Sequence, residues 1–241
     1  GAGLVRRFAQ DGARAVVAVD RDLVNAQRVA GAAGGTAMQA DVAREEDIVR
    51  VVRDTEARFG GIDLWCSNAG ILVIGGVETP NQQWQQIWEV NLMAHVYAAR
   101  AALPGMIARG KGYFLHTASA AGLLSQIGSA TYSVTKHAAV AFAEWLAITH
   151  GDQGIRVSVL CPQAVRTNMI LGTEEGGVAG VDGVIEPDQV AQAVVEGLAD
   201  ERFLILPHPQ VAEYLRRKTA DYDRWLGGMR RLQRRFTEGQ K

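Results

Sequence analysis

Ala15-Val16-Val17-Ala18-Val19-Asp20 is a continuous apolar run closed by an acid, and Leu23–Ala32 behind it spaces its apolar residues as a helix does. A run of this kind suits a strand buried on both faces. The same alternation recurs along the whole chain. Strands are predicted at Ala15–Asp20, Thr36–Ala40, Ile62–Ser67, Gly112–Thr117, Ile155–Leu160 and Phe203–Leu206. Helices are predicted between them at Leu4–Gln10, Leu23–Ala32, Glu45–Phe59, Asn81–Arg109, Ala130–His150 and Pro187–Ala199. Strand–helix alternation builds a parallel sheet covered by helices on both sides. The fold class is therefore α/β, doubly wound, with no repeat or low-complexity linker to divide it. Thr79-Pro80-Asn81-Gln82 reads as a helix start, Thr79 capping and Gln82 reaching back, and Glu186-Pro187 opens the later helix similarly. Gly1-Ala2-Gly3 runs directly into helix, whereas such a sheet normally has a strand and a glycine-rich turn just upstream. The first strand is thus expected to be missing from this chain.

Composition narrows the function. The 241 residues are 48% hydrophobic and 21% charged, enough apolar matter for a full core. Lys plus Arg number 25 against 26 Asp plus Glu, and this near-balance argues against a dedicated nucleic-acid binder. Cys66 and Cys161 lie far apart and match no metal-ligand spacing, so neither a metal site nor a disulfide framework is expected. No apolar run reaches the ~20 residues of a membrane span and no secretory signal opens the chain. A soluble, cytoplasmic protein is expected.

The chemistry concentrates at Ser119, Tyr132 and Lys136. Tyr132 and Lys136 stand four apart in a helix and project from one face. A free tyrosine titrates near pH ~10, but an ammonium about 4 Å away at an effective dielectric of ~20 favours the phenolate by roughly 4 kcal/mol. That would carry the phenol towards neutrality, where general acid–base work is efficient. Spacing alone is weak, because Tyr214-Leu215-Arg216-Arg217-Lys218 repeats it. Context separates the copies: Ser119 lies 13 residues before Tyr132 at a predicted strand end, and the same offset from Tyr214 lands on Glu201. Ligands bind at the carboxyl ends of strands in open α/β sheets.

These residues make the chain resemble the short-chain dehydrogenase/reductase family. The likeness runs from Gly1 to about Leu206 through Ser67-Asn68-Ala69-Gly70, Val90-Asn91-Leu92, Ser119, the Tyr132–Lys136 pair and Pro162 through Thr167. The resemblance implies a Rossmann-type sheet, a nicotinamide cofactor and alcohol–ketone redox chemistry. It implies Tyr132 as general acid–base, Ser119 as the group stabilising the substrate oxygen, and Lys136 as the residue tuning the tyrosine and holding ribose hydroxyls. Asn91 would hold a water that relays protons from Lys136. Gly1, eleven residues before Gly12, would be the third glycine of the phosphate turn. Asp20 would accept from the adenosine ribose, favouring NAD over NADP, although Arg21 beside it could meet a phosphate. Asp41-Val42 would touch adenine, and Asn68-Ala69-Gly70 would let backbone pass close to the cofactor. In Pro162 through Thr167, Pro162 would be a cofactor contact, and Thr167 and the backbone of Val165 would hold the carboxamide. Gln163 stands where the family usually has glycine, and so does Ala94. The resemblance also implies a homodimer or homotetramer through the two long helices. The rival is a catalytically silent nucleotide-binding or scaffold protein.

A glycine-rich substrate loop is expected near 168–186, holding Gly172, Gly176, Gly177, Gly180 and Gly183. Leu123, Leu124, Met169 and Ile170 point to an apolar alcohol or ketone as substrate. Residues 1–207 form the catalytic domain and 208–241 a helical extension, expected to bend at Gly227-Gly228 and to bury Val211, Leu215, Tyr222, Trp225, Met229 and Leu232. The five histidines, 95, 116, 137, 150 and 208, form no ligand cluster and are expected to pack.

Overall fold

In a computed structural model the described residues are 1–170 and 174–238. Helix α1 (Ala2–Gln10) leads into β1 (Val17–Asp20), α2 (Leu23–Ala32), β2 (Thr36–Gln39) and α3 (Glu45–Phe59). Then come β3 (Leu64–Ser67), α4 (Asn81–Trp88), a π-helical turn (Glu89–Met93), α5 (Ala94–Ala108) and β4 (Gly112–Thr117). After α6 (Ala130–His150) and β5 (Ile155–Leu160), α7 (Pro187–Ala199) leads to β6 (Leu204–Ile205), α8 (Gln210–Ala220) and α9 (Tyr222–Glu238). All strand pairs are parallel, in two sheets ordered β1-β2 and β3-β4-β5-β6. No strand among the described residues joins β1 to β3.

Period two places helices on both faces. On β4, Phe114 enters a core with Ala99, Met106, Ala139 and Leu146 from α5 and α6. Its neighbour Leu115 enters the opposite core with Leu4 from α1 and Val190 and Val194 from α7. The chain is thus a single α/β domain of Rossmann type. The run at Ala15 is less buried than its composition predicts. Pairing starts only at Val17, and Val19 is 37% exposed, because β1 pairs with β2 alone.

Three local expectations change. Thr79 does not cap α4. Its hydroxyl is turned inward against Gly75 and is buried with no partner among the described residues, and Pro80 occupies the cap position. Glu186 does form the expected reciprocal box, its own amide donating to Gln189 Oε1 at 2.9 Å. The extension breaks at Asp221 rather than at the glycine pair. Asp221 is extended (φ −157°), its carboxylate accepts the Arg224 amide at 2.9 Å, and α9 continues through Gly227-Gly228.

Candidate active site

Because every strand is parallel, the carboxyl ends of each sheet fall on one edge, and loops leaving them carry the candidate residues. Ser119 lies just beyond β4, extended at φ −178°, and heads a one-turn helix, Ala120–Gly122. Its Oγ accepts the Ala121 amide at 3.1 Å and donates to the Pro162 carbonyl at 3.4 Å, tying the ends of β4 and β5 together. The turn presses on α6: a Cβ on Gly122 would stand 2.5 Å from the Lys136 carbonyl oxygen. Glycine is required there by the close approach of two backbones. Nothing in the sequence patterning singled out Gly122; the signal was the small-residue run Ala120-Ala121-Gly122.

Tyr132 sits in the first turn of α6. Ser129 caps the helix, accepting the Tyr132 amide at 3.2 Å, while Ser129 and Thr131 hydroxyls both donate to the Val73 carbonyl. The helix start is thereby fastened to the segment after Asn68-Ala69-Gly70. Tyr132 is 9% exposed. Burial raises its phenol above the ordinary tyrosine value, and a hydrogen bond with the Ser119 side chain works the other way. This corrects the simple electrostatic expectation. The Lys136 ammonium donates to the Thr117 carbonyl at 3.0 Å and lies 5.6 Å from the Tyr132 ring centre, so burial prevails and the phenol stays protonated. Lys136 is itself pushed down to about 8 by burial. The neighbouring Cys161 thiol, pushed up to about 12, remains neutral.

Asn91 reaches this cluster from the π turn, which splits the long helix read as Asn81–Arg109. Its Oδ1 accepts the Ile71 amide at 2.8 Å, and its Nδ2 donates to the Ile71 carbonyl at 2.9 Å and to Thr135 Oγ1 at 3.3 Å. A π turn inserts one residue per turn and is often found at functional sites. A Cβ on Gly70 would meet Lys136 Nζ at 3.3 Å and Asn91 Oδ1 at 3.4 Å. Ser119, Tyr132, Lys136, Asn91 and Gly70 are therefore brought together.

The other candidates line the same edges. Gly1, at the start of α1, stands against Asn68, whose Nδ2 would lie 2.9 Å from a Cβ there; Ala69 follows in the same strand exit. Asp20 ends β1 and accepts the Asp22 amide at 2.9 Å. It is not the cap of α2, because Asp22 fills that position by accepting Val24 and Asn25 amides. Asp41 accepts the Ala43 amide at 3.0 Å, and this turn carries Val42. Arg21 and Asp41, with Gln39, Arg44, Asp47 and Arg50, line a cavity of about 320 Å³. Pro162 accepts from Ala120 and Ser119, Val165 bridges Ile185, and Thr167 donates to the Val165 carbonyl at 3.3 Å.

Of the apolar wall, Leu124 belongs elsewhere. It is buried with Ala120 and Val211, next to Tyr214, Leu215 and Trp225 of the extension, and Met169 is 42% exposed. Gly172 lies outside the described residues. Behind β4, His116 and His95 share a 2.9 Å Nδ1–Nδ1 hydrogen bond within a stacked pair. Burial drives His116 down to about 3 and His95 well below its ordinary value. Among the described residues no three His, Cys, Asp or Glu side chains are grouped as metal ligands would be, and no helix is long and apolar enough to cross a membrane.

Comparison with known proteins gives this geometry its context. The sequence profile described as short chain dehydrogenase matches residues 1–176. The chain is 37% identical over 224 residues to 1-deoxy-11-beta-hydroxypentalenate dehydrogenase of Streptomyces exfoliatus, covering 90% of this chain and 82% of that protein. It is 32% identical over 204 residues to cyclohexanol dehydrogenase of Acinetobacter sp. (strain SE19), covering 80% and 81%. The crystal structure of a short-chain dehydrogenase from Streptomyces avermitilis superposes with a TM-score of 0.79, covering 97% of this chain and 95% of that one at 23% identity, a likeness of fold. The chain belongs to the short-chain dehydrogenase family of oxidoreductases.

Proposed function

We propose that this protein interconverts an apolar secondary alcohol and its ketone, with Tyr132 as the group that exchanges the substrate's proton. One observation carries the reading: at the sheet edge where ligands bind, α6 sets buried Tyr132 and Lys136 beside Asn91 and Gly70, and the turn headed by Ser119 packs on the same helix through Gly122. In ketone reduction Tyr132 donates its proton to the carbonyl oxygen. Ser119, its single proton turned away from the Pro162 carbonyl, donates a hydrogen bond to the same oxygen as negative charge develops there. In alcohol oxidation Tyr132 receives the proton back, so oxidation quickens as pH rises and reduction does not.

A bound nicotinamide dinucleotide supplies the ring that exchanges hydride with the carbinol carbon. The residues present fit such a group: glycine at Gly70 keeps a Cβ from pressing on Lys136 Nζ and Asn91 Oδ1, and glycine at Gly1 keeps one off Asn68 Nδ2, so these polar groups stay unobstructed for a ligand. Lys136 has ammonium protons beyond the one given to Thr117 and would hold ribose hydroxyls. Asn91 Oδ1 keeps a second lone pair for a water beside Lys136. Gly1, Asn68, Ala69, Asp41, Val42, Pro162, Val165 and Thr167 would line the remainder. Asp20, released from capping, would accept from the adenosine ribose and repel a 2′-phosphate, which supports NAD over NADP despite Arg21.

The relatives' names specify a hydroxypentalenate and cyclohexanol, and cyclohexanol is an alicyclic secondary alcohol. An alicyclic substrate is the corresponding expectation here. Val134, Trp145 and Ile148 are exposed on one face of α6, which supports a dimer or tetramer through α5 and α6. The test is nicotinamide absorbance with cyclohexanol and bulkier alicyclic alcohols and ketones, NAD against NADP. The expected result is turnover with NAD. Tight cofactor binding without turnover across the panel would replace this reading with a silent binding protein.

A further inference from the structure

The second Tyr-x-x-x-Lys pair has no part in proton exchange, yet it touches both walls of the site. Tyr214 and Lys218 are four apart on α8 and so share a face. The Tyr214 hydroxyl donates to Asp182 Oδ1 at 2.9 Å. Lys218, only 9% exposed, donates to the Leu123 carbonyl at 2.5 Å and faces His137 Nε2 at 3.4 Å. His137 Nδ1 lies 2.8 Å from the Ser133 carbonyl, which can only accept, so Nδ1 carries the proton and Nε2 offers its lone pair to the ammonium.

Each contact lands next to the chemistry. Leu123 closes the turn that Ser119 opens, and Ser133 and His137 flank Tyr132 and Lys136 along α6. Asp182 lies in the segment that pairs with the loop after β5: Ala164 donates to the Ala179 carbonyl at 3.1 Å, and Arg166 to the Ile185 carbonyl at 2.9 Å. Among the described residues Asp182 Oδ2 is buried without a partner, so loss of the Tyr214 hydroxyl would leave a carboxylate poorly answered. Both burial and that carboxylate raise the Tyr214 phenol, which keeps it a donor across the working pH range. Val211, Leu215 and Trp225 close the joint against Ala120 and Leu124.

We propose that α8 is a bracket for the substrate side of the site, with Tyr214 positioning residues 176–186 through Asp182 and Lys218 positioning the Ser119 turn against α6. The bracket's effect on turnover rests on the alcohol–ketone reading above; its effect on local opening does not. Tyr214 then governs how well substrate is held, and Lys218 governs how Ser119 lines up with Tyr132.

The test uses the full chain and two readouts, amide hydrogen exchange without substrate and KM against kcat with cyclohexanol and NAD. Tyr214→Phe and Asp182→Ala are each expected to raise exchange of amides 176–186 by about fivefold, the worth of one hydrogen bond. Each is expected to raise KM by a similar factor with kcat within about twofold. Asp182→Asn, which keeps an acceptor, restores both readouts, and the Tyr214→Phe/Asp182→Ala double variant is no worse than either single. Lys218→Met speeds exchange at 120–124 and lowers kcat. Unchanged exchange at 176–186 in Tyr214→Phe overturns the bracket, as does a lowered unfolding temperature with KM and kcat both untouched. If the wild type turns over no alcohol, the proposed function fails, and exchange alone still decides the bracket.

Discussion

The two Tyr-x-x-x-Lys pairs share a spacing and almost nothing else. Tyr132 and Lys136 stand in the first turns of a 21-residue helix at the sheet's carboxyl edge, both enclosed and with a neutral hydroxyl, Ser119, facing the phenol. Tyr214 and Lys218 stand on an 11-residue helix outside the sheet, where a carboxylate takes the phenol's proton as a hydrogen bond and a carbonyl takes the ammonium. Four-residue spacing creates a shared helix face and no more. A proton can be exchanged with a substrate where the phenol's partner is neutral and displaceable; where the partner is a fixed charge, the same residue becomes a fastening.

The contrast breaks most visibly at Ser119. Ser119→Ala is expected to cost about 10²–10³ in kcat, the usual loss for a donor to a developing oxyanion. Steady-state kinetics at matched unfolding temperature checks it, because no residue plays that part opposite Tyr214. Gly122→Ala tests the seam between the pairs, since its new Cβ would meet the Lys136 carbonyl at 2.5 Å. A loss of about 1–3 kcal/mol in denaturant unfolding is expected, together with slower turnover.

Acid sharpens the comparison from behind. His116 is protonated in the folded state only near pH 3, whereas an unfolded imidazole binds a proton near pH ~6.5. The unfolded state therefore holds more protons across that window, and stability falls as pH drops from about 6.5 towards 3. The slope is about 1.4 kcal/mol per pH unit for each such imidazole. Urea unfolding across the window should show it, and His116→Gln should remove one proton's worth. The smallest effect belongs to the second pair. Lys218→Met leaves the Leu123 carbonyl unanswered at about 1–3 kcal/mol, recovered in part by the better solvation match of a buried methionine. Thermal unfolding is expected to shift by a few degrees at most.

What could be read from the chain follows from the range of each interaction. The bounds of α2, α3, α6, α7, β4 and β5 agree with their patterning, because apolar period and caps are local. The π turn at Glu89–Met93 was not legible: it depends on Asn91 bonding both backbone groups of Ile71, a contact across 20 residues. The break at Asp221 competed with a glycine pair and prevailed because a bonded cap outweighs two helix-tolerated glycines. That Ser119, Tyr132, Lys136 and Asn91 come together was legible, whereas the direction of the Tyr132 shift was not. Spacing reports which charges are near; only packing reports how much water has been removed. Leu124 failed for the same reason, apolar in a strand-end loop but claimed by the extension.

The decisive measurement is alcohol turnover by the full chain carrying Tyr132→Phe beside one carrying Tyr214→Phe. Loss of about 10²–10⁴ in kcat for the first, with its unfolding temperature kept, and kcat within about twofold for the second is the predicted result. Wild-type kcat from Tyr132→Phe would contradict the assignment of that phenol as the proton-exchanging group.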